Sequence, residues 1–161
     1  LTELDVSDNK LTSIAAVQNL TALTSFRAEK NQLTDCASLS RCTELRTLDI
    51  SHNQLTDITM LASLEKMAEF DFSYNQAAAL PQLPKTAALV TIDGSYNLLT
   101  SLEPLDKLDA LNYVYMDYNL ITDINALENC FCLVQINVYG NAIPDVSLLR
   151  DKDIIVNYDP T

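Results

Sequence analysis

Tryptophan is absent from the 161 residues, glycine occurs twice and histidine once. Gly94 and Gly140 stand alone, so the Gly-rich loop that cradles a phosphate is excluded. No recognisable motif joins the lone His52 to a serine or cysteine nucleophile, which removes triad chemistry. Basic residues are scarce: 10 Lys and Arg stand against 22 Asp and Glu, for a net charge of −12. A nucleic-acid binder needs a basic face to displace counterions, and an anionic membrane surface attracts the same charge, so neither partner is expected. No apolar run approaches the roughly 18 residues of a membrane-spanning helix. Cysteine is limited to four. Cys130 and Cys132 are too close in sequence for an unstrained bridge. Buried thiols are the simplest reading, with a Cys36–Cys42 pairing left open. Apolar residues, at 48%, are plentiful enough for a sizeable core and rule out a disordered chain.

That apolar content is ordered by a repeat. Leu1, Leu23, Leu45, Met67, Leu89, Leu111, Leu133 and Ile155 recur every 22 residues. In the same frame position 4 reads Leu4, Phe26, Leu48, Phe70, Ile92, Val114, Ile136, and position 6 reads Val6, Ala28, Ile50, Phe72, Gly94, Met116, Val138. Position 9 is Asn in every unit: Asn9, Asn31, Asn53, Asn75, Asn97, Asn119, Asn141. Positions 11, 14 and 17 are apolar almost throughout. Seven units of 22 account for residues 1–154, and Ile155 opens a partial eighth. An amphipathic helical bundle fails on the period and on the Asn column.

Alternation at positions 3 to 7, as in Glu3-Leu4-Asp5-Val6-Ser7, predicts one short strand per unit. Successive strands lie side by side and parallel. Positions 4 and 6 face the core; positions 3, 5 and 7 share an outward face. The return segment opens with Thr-Asp or Thr-Ser, as at Thr34-Asp35 and Thr56-Asp57, residues suited to capping a short turn. The unit is too short for long helices, so 3₁₀ turns are expected there. The inward Asn column predicts a ladder in which each side chain satisfies backbone groups of its own turn and its neighbour. Gly94 leaves a gap at an inward position, which Phe72 before it and Met116 after it can fill. Phe26 beside Ala28 is read as the same trade. Pro81 and Pro84 in unit four exclude regular helix, and a change of curvature is expected near residues 77–88.

This L-x-x-L-x-L-x-x-N-x-L pattern resembles that of leucine-rich repeats. The string from Leu45 to Leu61 resembles the 22-residue repeats of bacterial internalin-like proteins. The resemblance covers the whole chain. It implies an α/β class, right-handed solenoid with a parallel sheet on its concave face and short 3₁₀ or irregular convex segments. It further implies a bacterial cell-surface or secreted protein that presents its concave face to a protein partner. The chain begins inside a repeat with no capping unit before Leu1. Residues 1–161 are therefore read as a single domain, a fragment of a longer protein whose bare ends offer a route to self-association. The segment Ile154–Tyr158 is expected to form the eighth strand, with Asp159-Pro160 ending it.

Function is sought on the outward face. Position 5 places Asp49, Asp71 and Asp93 side by side on consecutive strands. Tyrosine gathers in units four to seven: Tyr74, Tyr96 and Tyr118 at position 8, Tyr113 at position 3, Tyr115 at position 5, Tyr139 at position 7. Tyrosine supplies rigid contact area with a polar tip, and an aspartate row beside it favours a basic or hydroxyl-rich ligand. These nine residues form the candidate site for a protein or peptide ligand. The competing reading is a spacer solenoid, in which the tyrosines merely stack across the sheet. The Asp row with Ser51, Ser73 and Ser95 also presents oxygen ligands of the kind Ca²⁺ takes, although most acidic rows are simply solvated. Paired carboxylates at this spacing suit glycoside hydrolysis, but an open groove does not split their proton affinities. No enzyme activity, metal or cofactor is expected.

Overall fold

The computed structural model describes residues 1–85, 87–150 and 152–159. Eight three-residue strands form one parallel sheet in chain order: β1 (Glu3–Asp5), β2 (Ser25–Arg27), β3 (Thr47–Asp49), β4 (Glu69–Asp71), β5 (Thr91–Asp93), β6 (Tyr113–Tyr115), β7 (Gln135–Asn137) and β8 (Ile155–Asn157). They occupy positions 3 to 5 of the repeat, with Leu48 opposite Phe70 and Phe70 opposite Ile92. Position 4 is buried between sheet and return segments from Phe26 to Ile136, as are position 6 from Ala28 to Val138 and positions 14 and 17. Parallel strands need a crossover to return the chain to the same edge. Here the crossover is a 3₁₀ turn: Ala15–Asn19, Ala37–Arg41, Thr59–Ser63, Glu103–Leu105 and Asn125–Asn129. The residue at position 13 primes it. Oδ1 of Asp35, Asp57 and Asp123 accepts the N–H of Ala37, Thr59 and Asn125, and Oγ of Ser13 accepts that of Ala15. Position 14, which directly precedes the turn, is apolar and packs inward. Unit four has no such turn among its described residues, as Pro81 and Pro84 require. No helix among the described residues is long and apolar enough to cross a membrane.

The last unit departs from the expected spacing. Gln135 pairs with Ile155 and Ile136 with Val156, an offset of 20 residues where the other units have 22. The return segment here is a four-residue α-helical turn, α1 (Ser147–Arg150), instead of a five-residue 3₁₀ turn. Ile155 therefore moves from the inward position 1 of the sequence frame to an outward one, and it is 54% exposed. Tyr158 packs partly buried against the core, with Arg150 over its ring at 5.4 Å. Pro160 lies outside the described residues. All four cysteines are free, with Cys36, Cys42 and Cys130 buried and Cys132 exposed, so the Cys36–Cys42 pairing left open by the sequence is not made. Burial pushes the Cys36 thiol up to about 12, with Asp35 and Asp57 adding to the effect.

The asparagine column is the ladder expected. Asn75 Oδ1 accepts the N–H of Leu55 in the preceding unit at 2.9 Å. Its Nδ2 donates to the carbonyls of Ile50, also in the preceding unit, and of Phe72 and Ser73 in its own. Asn31, Asn53, Asn97, Asn119 and Asn141 repeat the pattern, as the bonds to Asn31, Asn53, Asn97, Asn119 and Asn141 Oδ1 show. Asn9 makes two bonds, both within its own turn. Asn75→Ala leaves the buried Leu55 N–H without a partner and takes one of two donors from each of the carbonyls of Ile50, Phe72 and Ser73, so we expect a loss of about 3 kcal/mol in urea unfolding. Asn9→Ala, with exposed partners, is expected to lose less than half of that.

Position 6 shows the volume exchange read from the sequence. A Cβ on Gly94 would meet Phe72 Cζ at 2.5 Å and Met116 Sδ at 2.9 Å. Phe72 stacks in turn on Phe70, with centroids 5.0 Å apart. Phe26 and Ala28 are both fully buried, in keeping with the same trade. Gly94→Ala should therefore destabilise the fold by about 1–3 kcal/mol through overpacking. Adding Phe72→Leu should recover part of that loss, as read by the shared unfolding midpoint.

Candidate functional site

The tight backbone at position 8 decides where the tyrosines stand. Asp8, Lys30, His52, Tyr74, Tyr96 and Tyr118 all have φ between 51° and 57°, and Gly140 follows at 65°. Left-handed backbone is costly for bulky residues, so these turns are held by what surrounds them. The Asn side chain at the next position clamps the turn from inside. Outside, the rings stack: His52 on Tyr74 at 4.1 Å, Tyr74 on Tyr96 at 4.2 Å, Tyr96 on Tyr118 at 4.5 Å, with interplanar angles of 10° to 20°. A hydrogen bond with Tyr74 heads the causes that push the Tyr96 hydroxyl up to about 12. The column ends at Gly140, where a Cβ would lie 2.5 Å from Tyr118 Cδ1. Tyr74, Tyr96 and Tyr118 thus run along one edge of the concave sheet, with their faces turned to one another. His52 is an exposed member of that column.

The strand face itself carries the acidic row. Asp49 lies opposite Asp71, Asp71 opposite Asp93, and Asp93 opposite Tyr115, with Arg27 at the other end beside Asp49. A shallow depression of about 250 Å³ runs between Arg27 and Tyr115 over Asp49, Glu69, Asp71 and Asp93. Tyr113 sits on the same strand as Tyr115, two residues before it, and both are half-buried. Tyr139 lies just beyond β7, exposed, its N–H donating to Asp117. The structure therefore brings Asp49, Asp71, Asp93, Tyr113 and Tyr115 onto one face and sets Tyr74, Tyr96, Tyr118 and Tyr139 along its rim.

Position 7 corrects the sequence reading. Ser51, Ser73 and Ser95 are buried instead of sharing the outward face. Each donates its backbone N–H to Oδ1 of the aspartate two residues before, at 2.9 to 3.0 Å. The hydroxyl of Ser51 adds a second bond to Asp49. The Asp row is thus partly committed to holding the strand ends, and its serines are no longer free oxygen ligands for Ca²⁺. Among the described residues no group of three or more His, Cys, Asp or Glu is placed to hold a metal ion.

A larger hollow of about 620 Å³ opens on the convex side between units four and six. It lies where unit four has no 3₁₀ turn, and several of its polar groups are occupied locally. Ser101 accepts from Glu103, Asp123 from Asn125, and Asp106 from Asn129. It is a by-product of the extended segment, and the tyrosine and aspartate rows are elsewhere.

Stacking three carboxylates in register has an electrostatic cost. Burial pushes the Asp71 carboxyl up to about 6, the charges of Asp93 and Asp49 add to it, and the hydrogen bonds from Ser73 offset part of it. Glu29 is held above the usual carboxylate range by a hydrogen bond shared with Asp49, then by burial. Folded Asp71 binds its proton more tightly than the unfolded chain does, so its contribution to stability falls as pH rises from about 4 to about 6 and stays lower above. Asp71→Asn keeps an acceptor for Ser73 and removes that loss. The variant is expected to exceed the parent by about 1 kcal/mol at pH 8, after allowance for screening at a partly exposed site, and to match it near pH 4. Thermal unfolding at the two pH values measures the difference.

Comparison with known proteins agrees with this geometry. The profile of the Leucine Rich repeat family matches residues 1–17 and 41–58. No curated protein matches the chain in a sequence search. Among solved structures, an internalin from Listeria monocytogenes superposes with a TM-score of 0.91 at 26% identity, over 99% of this chain and 48% of that one. The chain thus spans about half the length of that internalin. A second internalin from the same bacterium gives 0.76 at 25% identity, over 98% and 80%. The repeat ectodomain of a plant membrane receptor kinase from Arabidopsis thaliana, solved in complex with Casparian strip integrity factor 2, gives 0.81 at 23% identity, over 99% and 21%. Its repeat spacing, its ladder and these likenesses show a leucine-rich repeat fold, and the chain is similar to internalins.

Proposed function

We propose that the chain is a protein- or peptide-binding module, part of a bacterial surface or secreted protein, whose concave face takes a basic segment of its partner. The observation that carries this is the depression over Asp49, Asp71 and Asp93, walled by Tyr115 on one side and Arg27 on the other. A row of like charges in partial burial is unfavourable for the free protein, and a guanidinium or ammonium group set above Asp71 relieves it. Tyr113 and Tyr115 supply rigid contact area at the end of the row. The likeness to a receptor-kinase ectodomain solved in complex with Casparian strip integrity factor 2 supports a binding role, and the likeness to internalins supports the surface or secreted setting. Neither nucleic acid nor membrane insertion is part of this reading, and no catalytic step is assigned to any residue.

The test uses this domain as bait beside two folded variants, Tyr113→Ala/Tyr115→Ala and Asp71→Asn/Asp93→Asn, with captured proteins identified by mass spectrometry. We expect a basic protein that the parent holds and both variants lose, with affinity falling about tenfold or more per variant. Its capture should weaken steeply between low and physiological salt. If parent and variants retain the same set, or nothing, the face is packing only and the solenoid acts as a spacer.

A further inference from the structure

The repeat supplies its own control for each surface column, since the same position recurs in every unit. Position 8 reads Asp8, Lys30, His52, then Tyr74, Tyr96, Tyr118. Position 10, two residues further along the same turn, reads Lys10, Gln32, Gln54, Gln76, then Leu98 and Leu120. Both columns begin polar; position 8 turns aromatic at unit four and position 10 turns apolar at unit five, so the two coincide in units five and six. Nothing in the fold asks for this: Gln32, Gln54 and Gln76 occupy position 10 without loss of the ladder beside them. Tyr74, Tyr96, Leu98, Tyr118 and Leu120 are all 40% to 56% exposed. With Tyr139 alongside, and at side-chain areas of about 200 Å² each, they leave on the order of 500 Å² of apolar surface in water. That extent matches the largest apolar patch a monomer ordinarily exposes, which is often a functional surface.

We infer that this flank, built of Tyr74, Tyr96, Tyr118, Leu98 and Leu120, is a second contact surface that takes an apolar protein segment bordered by Lys or Arg. The inference rests on the reading of the chain as a protein-binding module, but on a different face. The stacked rings turn their faces to one another and their edges outward, and ring edges repel cations. Basic groups of the partner therefore have no seat on the rings. They find one beside them, at Asp93 of the strand face and at Asp117, which stands between Tyr115 and Tyr118. The rings and leucines are left for apolar side chains. A second copy of the chain fits poorly, because each carries −12 and would bring one acidic row toward another.

The probe is a phage-displayed library of random twelve-residue peptides, selected on the immobilised parent. Individual winners are then measured in solution by fluorescence anisotropy. Three proteins are compared: the parent, Leu98→Gln/Leu120→Gln, and the strand-face variant Tyr113→Ala/Tyr115→Ala. The glutamines reproduce position 10 of units two to four, so the flank variant is expected to unfold at the parent's midpoint. The inference is supported if winners combine apolar residues with Lys or Arg and bind the flank variant at least tenfold more weakly. Loss in both variants supports it too, as one surface wrapped over the rim. Binding lost only in the strand-face variant overturns it and leaves the concave reading standing. Winners that are acidic, or a library that yields none, overturn it as well. So does a parent dimer in sedimentation velocity that the glutamine pair dissolves, since the occupant would then be a second copy.

Discussion

The side chain of the position-9 asparagine is the bond on which the rest of this molecule hangs. One amide joins three segments: the turn that follows its own strand, the carbonyl of the unit before, and the backbone N–H that starts the return of that unit. Those groups are buried and cannot turn to water, so each bond avoids a desolvation cost larger than its own net strength. Repetition then does the remainder. Once the amide fixes one unit against the next, strand register, return path and side-chain columns are all copied along the axis.

The tight turn that the amide holds forces position 8 into left-handed backbone. Side chains there project along the edge of the sheet, close enough to their counterparts in neighbouring units to stack. His52, Tyr74, Tyr96 and Tyr118 use this, and the contact between flat rings offsets a backbone conformation that bulky residues otherwise avoid. The same copying works against the fold at position 5. Asp49, Asp71 and Asp93 are brought into register whether or not their charges agree, and the fold accommodates them by hydrogen bonds from Ser51, Ser73 and Ser95. Packing and recognition therefore compete for the same columns.

Much of this was legible beforehand because a repeat makes one rule serve many residues. The inward columns, the asparagine ladder, the Gly94 exchange with Phe72 and Met116, and the missing turn around Pro81 and Pro84 each follow from spacing and side-chain volume. The candidate face was legible only in outline. Alternation suggested that positions 3, 5 and 7 look the same way, but the strands end at position 5. Beyond that point the chain bends and buries the serines. The rings at position 8 looked like contact residues from their number, yet stacking spends their faces on each other. Leu98 and Leu120 passed unnoticed because a leucine in a leucine-rich sequence carries no signal until its exposure is known.

Sequence alone determined the repeat, its period, the core columns and the row of aspartates, because these depend on identity and spacing along the chain. Tertiary structure alone decided three things. It set the last return at 20 residues by replacing a 3₁₀ turn with α1, which moved Ile155 to the surface. It buried the position-7 serines and turned the position-8 tyrosines face to face. It also divided the tyrosines between a strand face beside Asp93 and a stacked column along its rim. The reason is the same in each case: backbone direction at a turn is set by hydrogen bonds to a neighbouring unit, and that neighbour is distant in sequence.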